Sequence, residues 1–257
     1  MSAKRKFGLL GHPLGHSFSR KFHNDRFARL GIDAVYENFD LDDIATLPVL
    51  LANEPDLCGL NVTIPYKQAV MQFLDELDPL AEKIGAVNVV KIMPSANEKS
   101  HIAGRWLKGY NSDIVGFRDS LRPMLHGDET KALVLGTGGA SKAIFVALQD
   151  LGIEPVYVSR TPAAGRLTYS DLTADVMASH LVIVNCTPLG MFPKVDACPD
   201  LPYELLTPAH ICFDCVYNPA ETLFMKRAAE RGAQVKCGEE MLIGQAIESY
   251  RIWTSQK

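Results

Sequence analysis

The apolar positions of the chain change period repeatedly, from alternation to a spacing of about 3.6 residues and back, which predicts strands and helices in turn. Residues 7–10 read as a short strand running into a loop with Gly11, Pro13 and Gly15. Residues 19–30 read as a helix, with Phe22, Arg26-Phe27 and Leu30 on one side and Gly31 as its stop. Strands are predicted over 35–39 and 57–62, with a helical segment between them. A helix is predicted over 66–77, starting just after Pro65, then a strand over 86–92 and a polar loop over 94–100. A further helix runs from near Ser112-Asp113 to Leu121, before a loop containing Pro and Gly.

A new unit then opens. Residues 131–135 form a strand, Gly136-Thr137-Gly138-Gly139-Ala140 a glycine turn, and 141–151 a helix with Ile144, Leu148 and Leu151 at helical spacing. Strands follow over 155–159, 181–186 and 210–216. Residues 220–231 are amphipathic, with Gly232 as their stop; 235–237 form a last short strand and 241–253 a closing helix. No internal repeat or low-complexity stretch interrupts this order. Strands alternating with helices predict an α/β fold, here as two lobes divided somewhere in 109–130.

Composition agrees with that picture and removes several functions. At 257 residues with 47% hydrophobic and 22% charged side chains, the chain has material for one and a half to two domains with a real core. The 26 basic and 30 acidic residues leave no positive excess to neutralise phosphates, so nucleic acid is not an expected partner. Apolar runs such as 181–184 fall far short of the roughly 18 residues that suggest a membrane span. The start of the chain does not read as a signal peptide, so a cytoplasmic protein is expected. Of the six cysteines, Cys212 and Cys215 form a C-x-x-C inside a predicted strand, where positions three apart point to opposite faces. No second pair completes a zinc site, so the cysteines are expected to be small buried thiols in a reducing compartment. His12, His16 and His23 have no carboxylate or cysteine at ligand intervals, and no metal is expected.

Strand, glycine turn and helix in immediate succession is the context in which a pyrophosphate can rest on a helix N-terminus. Gly136, Gly138 and Gly139 are present, while Ser141 occupies the third-glycine position of G-x-G-x-x-G. At the end of the next strand, where a carboxylate would select NAD, the chain carries Ser159-Arg160-Thr161. A forked cation flanked by hydroxyls suits a 2′-phosphate, which predicts NADP; Arg166 adds a second positive charge nearby.

The first lobe carries polar clusters beside its predicted strand ends: Ser17-x-Ser19, Asn61-Val-Thr63-Ile-Pro-Tyr-Lys67, Gly85-Ala-Val-Asn88 and Asn111-Ser-Asp113. Ligands of open α/β sheets bind at such ends. Hydroxyls, amides, one ammonium and one carboxylate suit a small polyhydroxylated acid, since each desolvated hydroxyl needs a partner. Taken singly, each residue also has an ordinary use as a cap, turn former or solvated side chain.

Together these segments resemble the shikimate dehydrogenase family over nearly the whole chain. The matching stretches are Gly11-His-Pro-Leu-Gly-His-Ser-Phe-Ser19, Asn61-Val-Thr-Ile-Pro-Tyr-Lys67, Gly85-Ala-Val-Asn88, Asn111-Ser-Asp113-x-x-Gly116, Gly136-Thr-Gly-Gly-Ala140, Ser159-Arg-Thr161, Asn185-Cys-Thr-Pro-Leu-Gly-Met191, Asp214-x-Val-Tyr-Asn-Pro219 and Gly238-x-x-Met-Leu-x-x-Gln245. The resemblance implies an N-terminal open α/β substrate domain over 1–108, rejoined by a C-terminal helix over 241–257, and a Rossmann-like NADP-binding domain over 109–240. It implies reversible NADPH-dependent reduction of 3-dehydroshikimate to shikimate, on the route to chorismate and the aromatic amino acids. Lys67 and Asp113 would be the catalytic pair, Lys67 donating a proton to the alkoxide and Asp113 orienting and charging it. Ser17 and Ser19 would hold the substrate carboxylate, with Tyr217 close by, and Thr63, Lys67, Asn88, Asp113 and Gln245 would bind the ring hydroxyls. The cofactor would meet Gly136, Gly138, Gly139, Ala140, Ser159, Arg160, Thr161, Thr187 and Gly238. The partners implied are small molecules alone, with a monomer or a homodimer equally compatible.

Several positions depart from the family pattern. Arg20 stands where Pro is common, Ser112 replaces Thr and Thr137 replaces Ala. Residues 161–170, beside the expected 2′-phosphate pocket, replace a usual full helix, and Pro162 and Gly165 oppose helix there. Three alternatives stay open: a relative that also oxidises quinate, often with NAD; a catalytically silent ligand sensor; and a two-lobed NADP enzyme acting on a one-carbon folate.

Overall fold

The structure is a computed structural model that describes residues 4–15, 17–95 and 102–255. His16, most of the polar loop expected over 94–100 and the extreme N-terminus lie outside the described residues. The chain divides into two compact units, Met1–Ser112 with Ala246–Lys257, and Asp113–Gln245. The divisions thus fall a few residues later than the boundaries expected after 108 and 240.

The first unit contains β1 (Arg5–Gly11), α1 (Phe18–Leu30), β2 (Ala34–Asp40), α2 (Leu47–Asn53), β3 (Leu57–Val62), β4 (Glu76–Leu77), α3 (Pro79–Ile84), β5 (Val89–Pro94) and β6 (Arg105–Tyr110). Its six strands lie in the order β2-β1-β3-β5-β6-β4. β1 pairs parallel with β2 and β3, whereas β5 is antiparallel to β3 and β6. α1 starts where the Ser17 hydroxyl accepts the Arg20 N–H (3.2 Å), and stops at Gly31, whose φ of 63° suits glycine. One core cluster joins Leu10, Leu47, Leu51, Leu60, Val70 and Leu107. A second joins Phe7, Phe27, Tyr36, Val89, Ile252 and Trp253.

The helix expected over 66–77 is not formed. Only Ala69–Phe73 makes a tight helical turn, followed by β4. The reason lies in where the backbone groups go. The Lys67 carbonyl accepts the Val87 N–H (2.7 Å), and Asp75 exchanges bonds with Leu107, its N–H reaching the Leu107 carbonyl (2.9 Å) and its carboxylate the Leu107 N–H (2.7 Å). Partners in β6 and in the segment before β5 replace partners one helical turn away.

The second unit contains α4 (Asp113–Leu121), β7 (Lys131–Leu135), α5 (Gly139–Asp150), β8 (Glu154–Val158), β9 (Arg166–Leu167), α6 (Ala174–Ser179), β10 (Val182–Asn185), β11 (Ile211–Asp214), α7 (Leu223–Ala229), β12 (Gln234–Cys237) and the start of α8 (Glu239–Thr254). Its sheet is parallel throughout, in the order β12-β11-β10-β7-β8-β9. The order reverses between β7 and β10, and the crevice at such a switch point is where open α/β sheets take ligands. The helix expected over 220–231 is shortened to α7, because Thr222 caps it from outside, accepting the Met225 N–H (3.3 Å). The stretch over 161–170 holds β9 and a single helical turn at Tyr169–Asp171 in place of a full helix.

α8 serves both units: residues through Gln245 belong to the second and those from Ala246 to the first. In the first unit the Trp253 ring lies flat on Gly59, where a Cβ would collide with its indole. Its Nε1–H donates to the Val90 carbonyl (3.0 Å) and its ring stacks on Phe7 at 4.8 Å. Among the described residues no helix is long and apolar enough to cross a membrane.

Candidate active site

In the first unit, a buried polar network joins β2 and β3 to the residue before β5, the segment after β6 and α8. The Tyr36 phenol donates to the Asn61 side-chain oxygen (2.8 Å), and the Asn61 amide donates to Ser249 Oγ (2.8 Å). Ser249 and Ser112 share a hydrogen bond at 3.1 Å. Asn88 closes the set: its oxygen accepts the Ser112 N–H (2.7 Å), and its amide donates to Ser112 Oγ (3.1 Å). Burial pushes the Tyr36 phenol well above its ordinary pKa, a shift that the Ser19 hydroxyl bonded to it partly offsets. Buried polar groups so interlinked are fixed in place.

Five expected substrate residues lie in the first unit, and two of them, Ser19 and Asn88, meet this network. Ser17 caps α1, Ser19 reaches Tyr36, and Asn88 belongs to the network itself. Half-buried Thr63 leaves the end of β3, its N–H on the Leu10 carbonyl (2.9 Å). Lys67 is bound through its carbonyl to Val87, one residue before Asn88. Tyr36, Asn61, Ser112 and Ser249 were not singled out as site residues from the sequence. Asn61 and Ser112 nevertheless lie inside two of the polar clusters, whereas Tyr36 and Ser249 carry no such signal.

The loop between β1 and α1 is held by His12, whose Nδ1 pairs with Asp40 (2.7 Å) and Asp42 (3.2 Å). The Leu14 N–H (2.9 Å) and then His12 hold the Asp40 carboxyl below the usual carboxylate range. These three form the cluster of metal-ligand type among the described residues, and it is exposed.

Asp113, Tyr217 and Gln245 lie in the second unit. Asp113 opens α4 and is buried, and one turn on, Gly116 lets α8 approach closely. A Cβ at Gly116 would strike the Met241 carbonyl and lie 2.9 Å from the Gln245 nitrogen. Asp113 and Gln245 are therefore brought to adjoining helices by that small residue. Tyr217 is exposed in the loop after β11. That loop is organised by Asp214, which accepts from Thr222 Oγ1 (2.6 Å), the Val216 N–H (2.9 Å) and the Asn185 amide (3.0 Å). Burial nevertheless pushes its carboxyl up to about 6.

The glycine turn lies at the switch point, between β7 and α5. Gly136 has a φ of 94°, which favours glycine, and the space where a Cβ on Gly138 would stand is open. Gly138 caps α5 without any side-chain bond, so the amides of the first turn face outward from Gly139 and Ala140. Ser141, in the third-glycine position, turns its hydroxyl back onto the Gly138 carbonyl (2.6 Å). A Cβ on Gly136 would meet Thr187 Cγ2 at 3.0 Å, which places Thr187 against the turn. Thr187 is fixed by Asn185, its hydroxyl donating to the amide oxygen (2.6 Å). After β8, Ser159 Oγ both donates to the Thr161 carbonyl (2.6 Å) and accepts its N–H (3.1 Å), a tight bend that leaves Arg160 exposed. Arg166 lies over the Tyr157 ring at 5.9 Å. Gly238 follows β12, and a Cβ there would collide with the Cys215 carbonyl. Open glycine backbone, uncapped helix amides and an exposed guanidinium fit a phosphorylated dinucleotide.

A parallel sheet with this turn at its switch point, in one chain with a mixed sheet edged with hydroxyls and amides, defines a two-unit α/β dehydrogenase. The profile of the shikimate dehydrogenase substrate binding domain matches residues 9–90. The chain is 36% identical to a shikimate dehydrogenase (NADP(+)) of Caldanaerobacter subterraneus subsp. tengcongensis, over 99% of this chain and 93% of that one. The structure of shikimate 5-dehydrogenase from Thermus thermophilus in complex with NADP(H) and shikimate aligns with a TM-score of 0.82 at 32% identity, covering 97% of this chain and 93% of that one. Quinate dehydrogenase from Corynebacterium glutamicum in complex with NAD aligns with a TM-score of 0.83 at 28% identity, covering 98% and 94%. The chain belongs to the shikimate dehydrogenase family.

Proposed function

We propose that the chain catalyses the reversible, NADPH-dependent reduction of 3-dehydroshikimate to shikimate. The observation that carries this reading is similarity to a shikimate dehydrogenase (NADP(+)) over 99% of the chain, so both the hydroxyl-lined unit and the glycine-turn unit are retained. When bound, the nicotinamide supplies the two electrons and the hydrogen that reduce the ketone. Lys67 gives its proton to the carbonyl oxygen as negative charge develops there. Asp113 is the second member of the catalytic pair and orients the lysine ammonium. Ser17 and Ser19 hold the substrate carboxylate with Tyr217 close by, while Thr63, Asn88 and Gln245 take ring hydroxyls. Removing any hydroxyl from the substrate would leave one of these groups unpaired, a strong source of selectivity.

The amides of Gly138, Gly139 and Ala140 would hold the pyrophosphate, and Arg160, with Ser159 and Thr161, would hold the 2′-phosphate. Gly136, Thr187 and Gly238 give the remaining dinucleotide close backbone approach. The enzyme works in the cytoplasm on small molecules, without nucleic acid or membrane, as a monomer or homodimer.

The test is kcat/KM for shikimate and for quinate, each with NADP and with NAD. Shikimate with NADP is expected to exceed every other pairing by about tenfold or more. A preference for quinate with NAD would replace this reading with that of a quinate dehydrogenase. Absence of turnover with ligands still bound would leave a sensor.

A further inference from the structure

The C-x-x-C of the sequence does not act as a pair. Cys212 is buried in the core of the second unit, its thiol pushed up to about 12 by burial, while Cys215 follows β11 and turns elsewhere. Its neighbour is Cys186, the residue just after β10. The two sulfurs lie 3.9 Å apart, and both residues are half-buried. Parallel pairing of β10 with β11 sets Asn185 beside Asp214, and the Cys215 N–H continues the ladder onto the Asn185 carbonyl (2.9 Å). The cysteines therefore occupy matching positions on adjacent strand ends. All six cysteines are free thiols.

We propose that Cys186 and Cys215 are a redox-active thiol pair, which a small-molecule disulfide converts reversibly into a Cys186–Cys215 disulfide that impairs NADP binding and turnover. The Cys186 thiolate attacks one sulfur of the oxidant, breaking its S–S bond, and the departing thiolate takes up a proton. Cys215 then gives up its proton and attacks the Cys186 sulfur, expelling the second small thiol. Two protein thiols are oxidised by two electrons, and one small disulfide is reduced to two thiols. The order of attack follows from the hydrogen bond: sharing with Cys186, burial and the nearby Asp214 and Asp113 carboxylates raise the Cys215 pKa, so Cys215 is the proton donor between them.

The consequence for the cofactor comes from what flanks each sulfur. The Cys186 carbonyl group lies 3.5 Å from where a Cβ on Gly136 would stand, and Thr187 follows directly. The Cys215 carbonyl fills the space beside Gly238. Closing the sulfurs from 3.9 Å to the bonded distance of about 2.05 Å draws together the two strand ends that carry these contacts. This effect rests on the reading that the second unit holds NADP; the disulfide itself does not.

The experiment treats the full-length protein with oxidised glutathione, blocks remaining thiols and maps peptides by mass spectrometry without reduction. NADP affinity and shikimate oxidation are measured before oxidation, after it and after dithiothreitol. The proposal expects a crosslinked peptide joining Cys186 and Cys215, together with a loss of about tenfold in NADP affinity and in kcat/KM, misplacements of around 1 Å being enough for such losses. Dithiothreitol should reverse both. Cys186→Ser and Cys215→Ser should each abolish the crosslink and the oxidant sensitivity. A map with Cys186 and Cys215 still reduced, or modified only as separate mixed disulfides, would overturn the pair. A crosslink that leaves NADP affinity unchanged would overturn the coupling. If the reduced protein binds NADP but turns over no shikimate, the proposed function fails, and the crosslink and the affinity still decide this proposal.

Discussion

Lys67 owes its placement to its own main chain, because the carbonyl bond to Val87 ties it to the segment that delivers Asn88. Lys67→Ala leaves that main-chain bond intact and removes the side chain beyond Cβ, the ammonium with it. It should lower kcat by about 10² or more with a smaller change in KM, the scale expected when a proton donor is lost. Steady-state assays with shikimate and NADP check this, and an unimpaired variant would remove the lysine from the chemistry. At this scale the sequence was readable where polar residues follow an apolar strand, as Thr63 and Lys67 follow β3. Tyr36 and Ser249 were hidden because each sits in an ordinary amphipathic setting, on β2 and α8, and acquires its partner Asn61 only through the tertiary fold. Ser141 shows a substitution whose effect could not be read in advance: its hydroxyl bonds the turn at the position where the motif has a third glycine.

Helix α8 depends on a glycine far away in the chain. Gly59→Ala would push a methyl group into the Trp253 indole, which is held by Phe7 on one side and by its bond to Val90. Overpacking a fixed ring costs about 1–3 kcal/mol, to be read as a lowered midpoint in urea unfolding. Gly15→Ala, with open space at its Cβ, should leave the midpoint unchanged. Elements with strong periodicity, such as α5 and the buried strands of the second unit, are legible from spacing alone, whereas α1 is bounded by its Gly31 stop and buries His23 and Phe27 rather than Leu30. The stretch 66–77 was not, because its apolar residues suit a helix while its backbone groups find better partners in β6 and beside Asn88. β6 itself escaped notice, although Trp106, Lys108 and Tyr110 alternate with Leu107 and Gly109. α3 and α6 were too short for a periodic signal, though Asp78 and Thr173 cap them as strong start residues do.

The whole molecule carries two buried groups that respond to acid in opposite directions. His23 is stacked on Tyr36 at 4.5 Å, neither ring nitrogen has a hydrogen-bond partner, and burial, aided by Arg26, depresses its pKa to about 3. The folded first unit thus keeps the ring neutral, while the unfolded chain protonates it near its ordinary 6.5. Its contribution is complete above that pH and is lost as pH falls towards 3, by about 2 kcal/mol between pH 7 and 5. Asp214 has its pKa raised, so the same acidification favours the folded second unit, by about 1 kcal/mol. Urea unfolding at both pH values should therefore show that His23→Phe removes roughly 2 kcal/mol of acid sensitivity. An unchanged difference would mean that the imidazole is already charged in the folded state. The two-lobe plan was legible from the restart of strand patterning at residue 131, but its borders were not, since α4 and α8 are each continuous in period. The division of α8 also bears on how the protein is made. Translation delivers Asp113–Gln245 before Trp253, so the later unit can finish its sheet while the earlier one still lacks the indole that seals Gly59. At roughly 5–20 residues per second the synthesis of residues 113–253 takes on the order of ten seconds. Throughout it the nascent chain leaves the aromatic face of Phe7, Phe27 and Tyr36 uncovered, the stretch of its life in which a chaperone has most to hold.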